Sequence, residues 1–565
     1  MLKRVLCYTL LLGLAVSSNE DVTQPAVSSN EDVTQPVVAA PAGRFRGSIL
    51  TSLSGNKYAA YKGIPYALPP TGERRFALPE AYPQNEEDVY DASEFGPICF
   101  QHVDEVSYGQ EDCLFLNVYT PLIDEDVTDA EQKKVLVFIH GGGFVSGASN
   151  VFIPGDLVTQ GDVLVVTLNY RLGWLGFLRG DPDILPGNQA FHDQILALRW
   201  VKANIAAFGG DPDDVTLSGE SAGAISVSIL SLSPLASHLF SRAILMSGTG
   251  FSFPAPPQES RDLLEIVQKV VGCDCVNNTL SCIQRRPAEK FEMIFSYALA
   301  SKLPSSGDAF LPNPIPVLVN DVKYLDTVGF FNRDYLVSIT KHDGYVRINS
   351  QFGKLNITSL ESSITGISEL VQLPEHVGKS LLLEYLKLYE DLEKAVIALN
   401  TDYFYLQRSH YFLNVFGKRP NQVAQSVQTN IYFMSFDPAP KFFPKQYAVH
   451  AVDLVYLFDI VPKQFLEGAY YLKMEGDLSE DDKVFKSAFI DLVATFLKTG
   501  NPNGYLKKEK SVIWPPYDDA NKNYLSFSLD PSVRQNLYGE RRIIWDQLLP
   551  QWKKEYESLQ SKQDL

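Results

Sequence analysis

Four stretches of the chain carry residue types whose spacing could turn an ordinary hydroxyl into a nucleophile. Val215-Thr-Leu-Ser-Gly219-Glu220-Ser221-Ala222-Gly223 is a β-type apolar run that closes on a Gly-x-Ser-x-Gly turn, and a helical run continues to Leu230. A serine on such a strand-to-helix corner projects its hydroxyl clear of the sheet, and glycines at 219 and 223 let the backbone turn that tightly. The following helix brings the positive end of its dipole beside the hydroxyl, where an oxyanion would form during acyl transfer. A glycine-serine-glycine turn can also simply join a strand to a helix, so the pattern gains meaning only with a base, an orienting acid and oxyanion donors.

The donors are the easiest to find. His140-Gly141-Gly142-Gly143-Phe144 directly follows a buried strand, and consecutive glycines let backbone N–H groups face a bound oxyanion with no Cβ in the way. Gly142, Gly143 and Ala222, the residue after the serine, would supply three donors. A phosphate cradle is the competing reading. It lacks both the Gly-Lys-Ser/Thr of a P-loop and a Gly-x-Gly-x-x-Gly with a downstream acid.

In an open α/β arrangement of this type the chain order is serine, acid, histidine. Of the eight histidines, only His376, His410 and His450 follow far enough behind Ser221 and after a plausible acid. His376 and His410 lie in a helical region where a packed or solvated histidine is the plain reading. His450, in Tyr447-Ala-Val-His450-Ala-Val-Asp-Leu-Val-Tyr-Leu-Phe458, is the candidate base, because its apolar-flanked segment could hold an imidazole rigidly. For the acid, a strand at 335–339 ends in Thr340-Lys-His-Asp343-Gly344, which puts a carboxylate in a turn at a strand end, where ligands gather in open α/β sheets. An aspartate before glycine is also an ordinary turn feature.

The elements that must position these residues alternate. Runs at 134–139 and 162–168 read as strands buried on both faces, 194–205 has apolar residues at helical spacing, and 242–246 is a further strand. The pattern predicts an α/β fold, a large and mostly parallel central sheet with helices on both faces. Residues 360–430 read mainly as helices and are expected to form an insertion or cap. Residues 43–550 are expected to be one catalytic domain, followed by a C-terminal tail at 551–565.

Composition bounds the rest. Apolar residues make up 45% of the 565 and charged residues 21%, with 33 Phe and 28 Tyr, a globular profile with ample material for a core. A formal net charge of -18 argues against a nucleic-acid partner, which calls for a basic stripe. Residues 1–17 pair Lys3 and Arg4 with an apolar run and then small residues, as a secretory signal does; the run is shorter than the roughly 20 residues that span a bilayer. Residues 15–25 recur letter for letter at 26–36, and 18–42 is expected to be a disordered leader. Secretion is therefore expected, and disulfides are allowed. Without Cys7 the chain keeps Cys99, Cys113, Cys273, Cys275 and Cys282, an odd set. Local spacing suggests Cys99 with Cys113, and Cys273 or Cys275 with Cys282. A zinc reading of Cys-Asp-Cys has no nearby histidine to support it, and neither metal nor cofactor is expected. Asn277 and Asn356 head glycosylation sequons. The terminal Lys562-Gln-Asp-Leu565 resembles a retrieval tail, which makes the endoplasmic-reticulum lumen the alternative location.

Taken together, these residues resemble the type-B carboxylesterase and cholinesterase family of α/β-hydrolases. The similarity runs from about Gly43 to Leu549, through Tyr61-Lys-Gly-Ile-Pro-Tyr-Ala67 with Arg75-Phe76, Glu111-Asp-Cys-Leu-Phe-Leu-Asn-Val-Tyr119, the glycine loop and Asn169-Tyr-Arg-Leu-Gly173. It continues through Asp193-Gln194, Phe208-Gly-Gly-Asp-Pro212, Gly219-Glu-Ser-Ala-Gly223, Lys498-Thr-Gly-Asn-Pro502 and Trp514-Pro515. The resemblance implies an α/β-hydrolase fold and a Ser221–His450–Asp343 triad with donors at Gly142, Gly143 and Ala222. It further implies bridges Cys99–Cys113 and Cys273–Cys282 with Cys275 left over, ion pairs Arg75–Glu111 and Arg171–Asp193, and a tuning role for Glu220.

Departures from the family pattern refine the expectation. The acid turn reads His342-Asp343-Gly344, where most members carry glutamate, and in this it is similar to the bile-salt-activated lipase branch. No tryptophan lies between Cys99 and Cys113, so the cation–π contact by which cholinesterases hold a quaternary ammonium is missing, and choline esters are not expected substrates. Glu220 in the serine turn, in place of glutamine, weakens a likeness to insect juvenile hormone esterases. The expected activity is hydrolysis of small to medium apolar carboxylic esters through an acyl-enzyme. The alternatives are a lipase or cholesterol-esterase type of acyl hydrolase and, in a different class, a non-catalytic neuroligin-like binding protein.

Overall fold

A computed structural model describes residues 35–103, 106–122, 131–180, 185–250, 260–274, 278–292, 306, 309–349, 360–371, 374–420, 429–441, 447–459 and 478–563. The expected signal segment, the leader as far as Thr34, Cys275, Asn277 and Asn356 lie outside the described residues.

An eleven-stranded sheet forms the frame, in the spatial order Ser532–Gln535, Asn523–Phe527, Ile431–Phe436, Asp334–Thr340, Arg242–Met246, Gly210–Glu220, Lys133–Ile139, Leu164–Leu168, Phe115–Pro121, Lys57–Pro65, Ser48–Thr51. The strands from Asn523–Phe527 to Leu164–Leu168 pair in parallel, and the margins are antiparallel. Register aligns the carboxyl ends of the central strands: Gly219 pairs with Ile139, Glu220 with Met246, and Met246 with Ser338. That common edge is where an α/β sheet of this kind presents a site.

Alternate residues of one strand serve two cores. Val135, Val137 and Ile139 pack with the buried helix Ala222–Leu230, while Leu136 and Phe138 face the helix Glu480–Thr499 on the other side. Near-continuous apolar strands are what two covered faces require. Helices on both faces are thus observed, as expected for the α/β-hydrolase fold. The strand expected at 162–168 begins at Leu164, because Asp162 caps the preceding helix in a left-handed conformation. The helix expected at 194–205 begins earlier, at Gln189.

The expected leader boundary needs correcting. Val37–Ala40 is a strand paired antiparallel with Gly43–Arg46, and Val38, Ala40 and Ala42 pack on the core. The Ala42 N–H also donates to Asn204 Oδ1 at 2.7 Å. An apolar Val-Val-Ala-Ala run next to the polar repeat gains burial by joining the fold, so the fold begins before Gly43. The tail expected at 551–565 is helical as far as Gln563, as part of Leu549–Gln563.

Within 360–430 the described residues form helices Leu360–Val371, Glu375–Tyr389, Leu392–Thr401 and Gln407–Gly417, with a π-turn at Asp402–Leu406. A separate apolar cluster joins several of them to Ile544, Trp545, Leu548 and Trp552 near the C-terminus.

Candidate active site

Ser221 occupies the turn between the strand Gly210–Glu220 and the helix Ala222–Leu230, at φ 54° and ψ -120°. A non-glycine residue held there carries strain of roughly 1–3 kcal/mol, which persists only where the surroundings over-determine it. They do so here. The Ser221 N–H donates to Met246 C=O at 2.9 Å, and the Ser221 C=O accepts from Ile225 N–H at 2.9 Å. A methyl group at Gly219 would strike the Gly223 backbone, and one at Gly223 would strike the Ile139 carbonyl. Both positions of the Gly-x-Ser-x-Gly pattern are therefore fixed by close backbone approach.

The glycine loop leaves the neighbouring strand beside this turn. Gly142, Gly143 and Phe144 all have positive φ, 103°, 63° and 66°. Val145 and Ser146 N–H groups close onto Gly142 C=O at 3.1 and 3.0 Å, and Phe144 C=O accepts from Gly173 N–H at 2.8 Å. The Tyr170 hydroxyl donates to His140 C=O at 2.9 Å, and its ring stacks on the His140 imidazole at 4.4 Å. Burial lowers the His140 pKa to about 4, so this imidazole is neutral near pH 7 and adds no charge beside the loop.

Asp343 follows the strand Asp334–Thr340 and is fully buried. Its Oδ1 lies 2.9 Å from His450 Nδ1, and its Oδ2 accepts from the Ser247 hydroxyl and from Thr340 N–H, both at 2.9 Å. The turns carrying the two residues are tied directly, since His342 N–H donates to Ala448 C=O at 2.8 Å and Ala448 N–H to His342 Nδ1 at 3.1 Å. The structure thus brings Asp343 and His450 together and sets the other two candidate bases apart. His410 is buried on the helix Gln407–Gly417, with its pKa lowered to about 3 by burial, and His376 lies against Tyr556.

The second imidazole nitrogen has a neighbour that the sequence did not single out as one. His450 Nε2 is 3.1 Å from Glu220 Oε1, close but without the alignment of a hydrogen bond. Burial and the nearby Asp453 and Asp343 carboxylates hold the Glu220 pKa well above its usual range. Burial first, then Asp343, raises Asp453 to about 7. Among the described residues no hydrogen bond joins the Ser221 hydroxyl to His450. In free enzymes such contacts are commonly long and tighten only with substrate.

Sequence reasoning missed Ser247, Asp453 and Tyr405, whose ring lies 4.9 Å from that of His450. Ser247 could have been found as the first residue past the strand Arg242–Met246, and Asp453 as a carboxylate three positions after the candidate base. Tyr405 has no local signal.

The bridges Cys99–Cys113 and Cys273–Cys282 are formed. Arg75 Nε lies 2.6 Å from Glu111 Oε2, and Arg171 grips Asp193 with two nitrogens at 2.8 and 2.6 Å. Among the described residues no helix is long and apolar enough to cross a membrane.

Comparison with known proteins accords with this framework. The chain is 30% identical to carboxylesterase 5A of Mus musculus over 519 residues, which cover 87% of this chain and 85% of that protein. It is 29% identical to acylcarnitine hydrolase of Mus musculus over 532 residues, 89% of each. It is also 28% identical to neuroligin-2 of Mus musculus over 565 residues, which cover 87% of this chain and 64% of neuroligin-2. The profile described as the carboxylesterase family matches residues 34–545, nearly the whole chain, and the protein belongs to that family.

Proposed function

We propose that the protein is a serine carboxylic-ester hydrolase working through an acyl-enzyme, with Ser221 as nucleophile, His450 as general base and Asp343 as its orienting acid. The observation that carries the reading is the 2.9 Å contact between His450 Nδ1 and Asp343 Oδ1, on turns beside the strained Ser221 corner. Held through Nδ1, the imidazole keeps Nε2 as the acceptor for the Ser221 proton. Ser221 Oγ then adds to the ester carbonyl, and the N–H groups of Gly142, Gly143 and Ala222 bind the oxyanion. His450 passes the proton to the departing alcohol, and water repeats the sequence on the acyl-enzyme. Asp343 orients the imidazole and stabilises the imidazolium that forms.

Apolar esters of small to medium size are the proposed substrates. A long-chain acyl hydrolase is the neighbouring reading, and rates across p-nitrophenyl esters of increasing acyl length separate the two. The likeness to neuroligin-2 supports a second reading in another class, a binding protein without turnover. Against it stands the presence of a competent residue at every proposed catalytic position. The two disulfides and the N-terminal sequence support action in the secretory pathway, outside the cell or in the endoplasmic-reticulum lumen. Glycosylation at Asn277 and Asn356 belongs to the same proposal. Hydrolysis of a short p-nitrophenyl ester by purified protein tests the reading: activity that disappears in Ser221→Ala supports it, and full activity in that variant overturns it.

A further inference from the structure

The helical segment from Leu392 to Gly417 changes its winding at Asp402–Leu406, where one π-turn replaces α-helix. An extra residue in a helix rotates every later side chain by roughly 100° about the axis, and such turns recur at functional sites. On the near side of this turn, Thr401 Oγ1 accepts from the Gly344 N–H at 2.9 Å. Gly344 follows Asp343 and packs so closely that a methyl group on it would strike Ile397 C=O and Thr401 N. Within the turn, the Tyr405 ring lies 4.9 Å from the His450 imidazole, inclined at 41°.

Between these two contacts the turn is anchored from the C-terminal part of the chain. Asp402 is fully buried and accepts from Arg541 Nη2 at 2.6 Å and from the Tyr385 hydroxyl at 2.5 Å. Trp545 Nε1 donates to the same hydroxyl at 2.6 Å, and the Arg541 guanidinium lies 3.6 Å over the Tyr538 ring. A buried ion pair with this many partners fixes geometry, because breaking it would leave an uncompensated charge.

We propose that the π-turn is a clamp for the acid–base pair, with Thr401 holding the Asp343 turn, Tyr405 holding the plane of the His450 imidazole, and the Asp402–Arg541 pair as its anchor. Thr401 and Tyr405 are then positioning residues, acting through Asp343 and His450. The two hydrogen bonds between His342 and Ala448, one between backbones and one to the His342 imidazole, already hold the two turns together, so the clamp governs side-chain direction. The proposal rests on the reading of Asp343 and His450 as acid and base.

The test uses the full chain and a short p-nitrophenyl ester, with organophosphate labelling alongside. Thr401→Val and Tyr405→Leu should lower kcat about ten- to a hundredfold, the scale of a misplaced catalytic group, with KM unchanged. Thr401→Ser, which keeps the acceptor oxygen, and Tyr405→Phe, which keeps the ring, should restore most of kcat. If Tyr405→Leu does not fold, Tyr405→Met carries the same expectation. Wild-type kcat in folded Thr401→Val and Tyr405→Leu, or a loss confined to KM, overturns the clamp while labelling of the wild type leaves the triad reading standing. Wild-type protein that neither hydrolyses the ester nor takes the label overturns the triad reading itself.

Discussion

Nε2 of His450 lies 3.1 Å from Oε1 of Glu220, the residue immediately before Ser221. The imidazole is therefore flanked by two carboxyl groups of different character. Asp343, on Nδ1, is stabilised by the Ser247 hydroxyl and the Thr340 N–H. Glu220, on Nε2, is buried near Asp343 and Asp453, and its protonated form is favoured. In the proposed mechanism, a protonated Glu220 would put no second negative charge beside His450 to compete for the Ser221 proton.

Asp453 makes this electrostatic arrangement measurable. Its folded-state pKa of about 7 stands above the unfolded value of 3.8, so the folded protein holds a proton that the unfolded chain releases. The stabilisation is complete below about pH 4 and is lost as pH rises through about 7, a change of a few kcal/mol. Denaturant unfolding at pH 4 to 8 should show Asp453→Asn losing less stability over this window than the wild type. Parallel curves would contradict the assignment.

Gly142→Ala should damage turnover far more than folding. Gly142 has φ 103°, and a methyl group there would run into the Ser146 backbone that closes the loop. The loop must shift, and with it the proposed donors. Loss of one oxyanion donor typically costs ~3 kcal/mol, about a hundredfold in kcat. Steady-state kinetics beside a thermal melt checks this; a variant with wild-type kcat would remove Gly142 from the oxyanion hole.

Asp193→Asn should act in the opposite way, on the fold. Arg171 and Asp193 have side chains only 3% and 0% exposed, and Asp193 also accepts from the Arg171 N–H at 3.1 Å. Removing the carboxylate leaves a buried guanidinium uncompensated, at a cost of about 3–5 kcal/mol. Chemical denaturation should show the loss. A variant within about 1 kcal/mol of wild type would mean that the pair is replaceable, as exposed pairs are.

Much of the frame and of the candidate site was legible because it depends on local backbone demands. The Ser221 corner and the glycine loop announce themselves through glycines that only a tight turn or close approach requires, and Asp343 through its turn at a strand end. The boundary near Gly43 was misread because the polar repeat masked a four-residue apolar strand whose partner lies just beyond the turn. Tyr405 could not be read at all. Its approach to His450 depends on a π-turn anchored at Asp402 by Arg541, 139 residues beyond Asp402 in the chain, and no local pattern encodes that.

In the proposed mechanism Ser221 is a nucleophile activated by His450. Organophosphate labelling of the purified protein, followed by peptide mass mapping, tests it most directly. The peptide carrying Ser221 should take stoichiometric label, labelling should slow by orders of magnitude in His450→Gln, and Ser221→Ala should take none. Native protein that stays unlabelled, or that takes the label on another residue while Ser221→Ala keeps full hydrolysis, would contradict it.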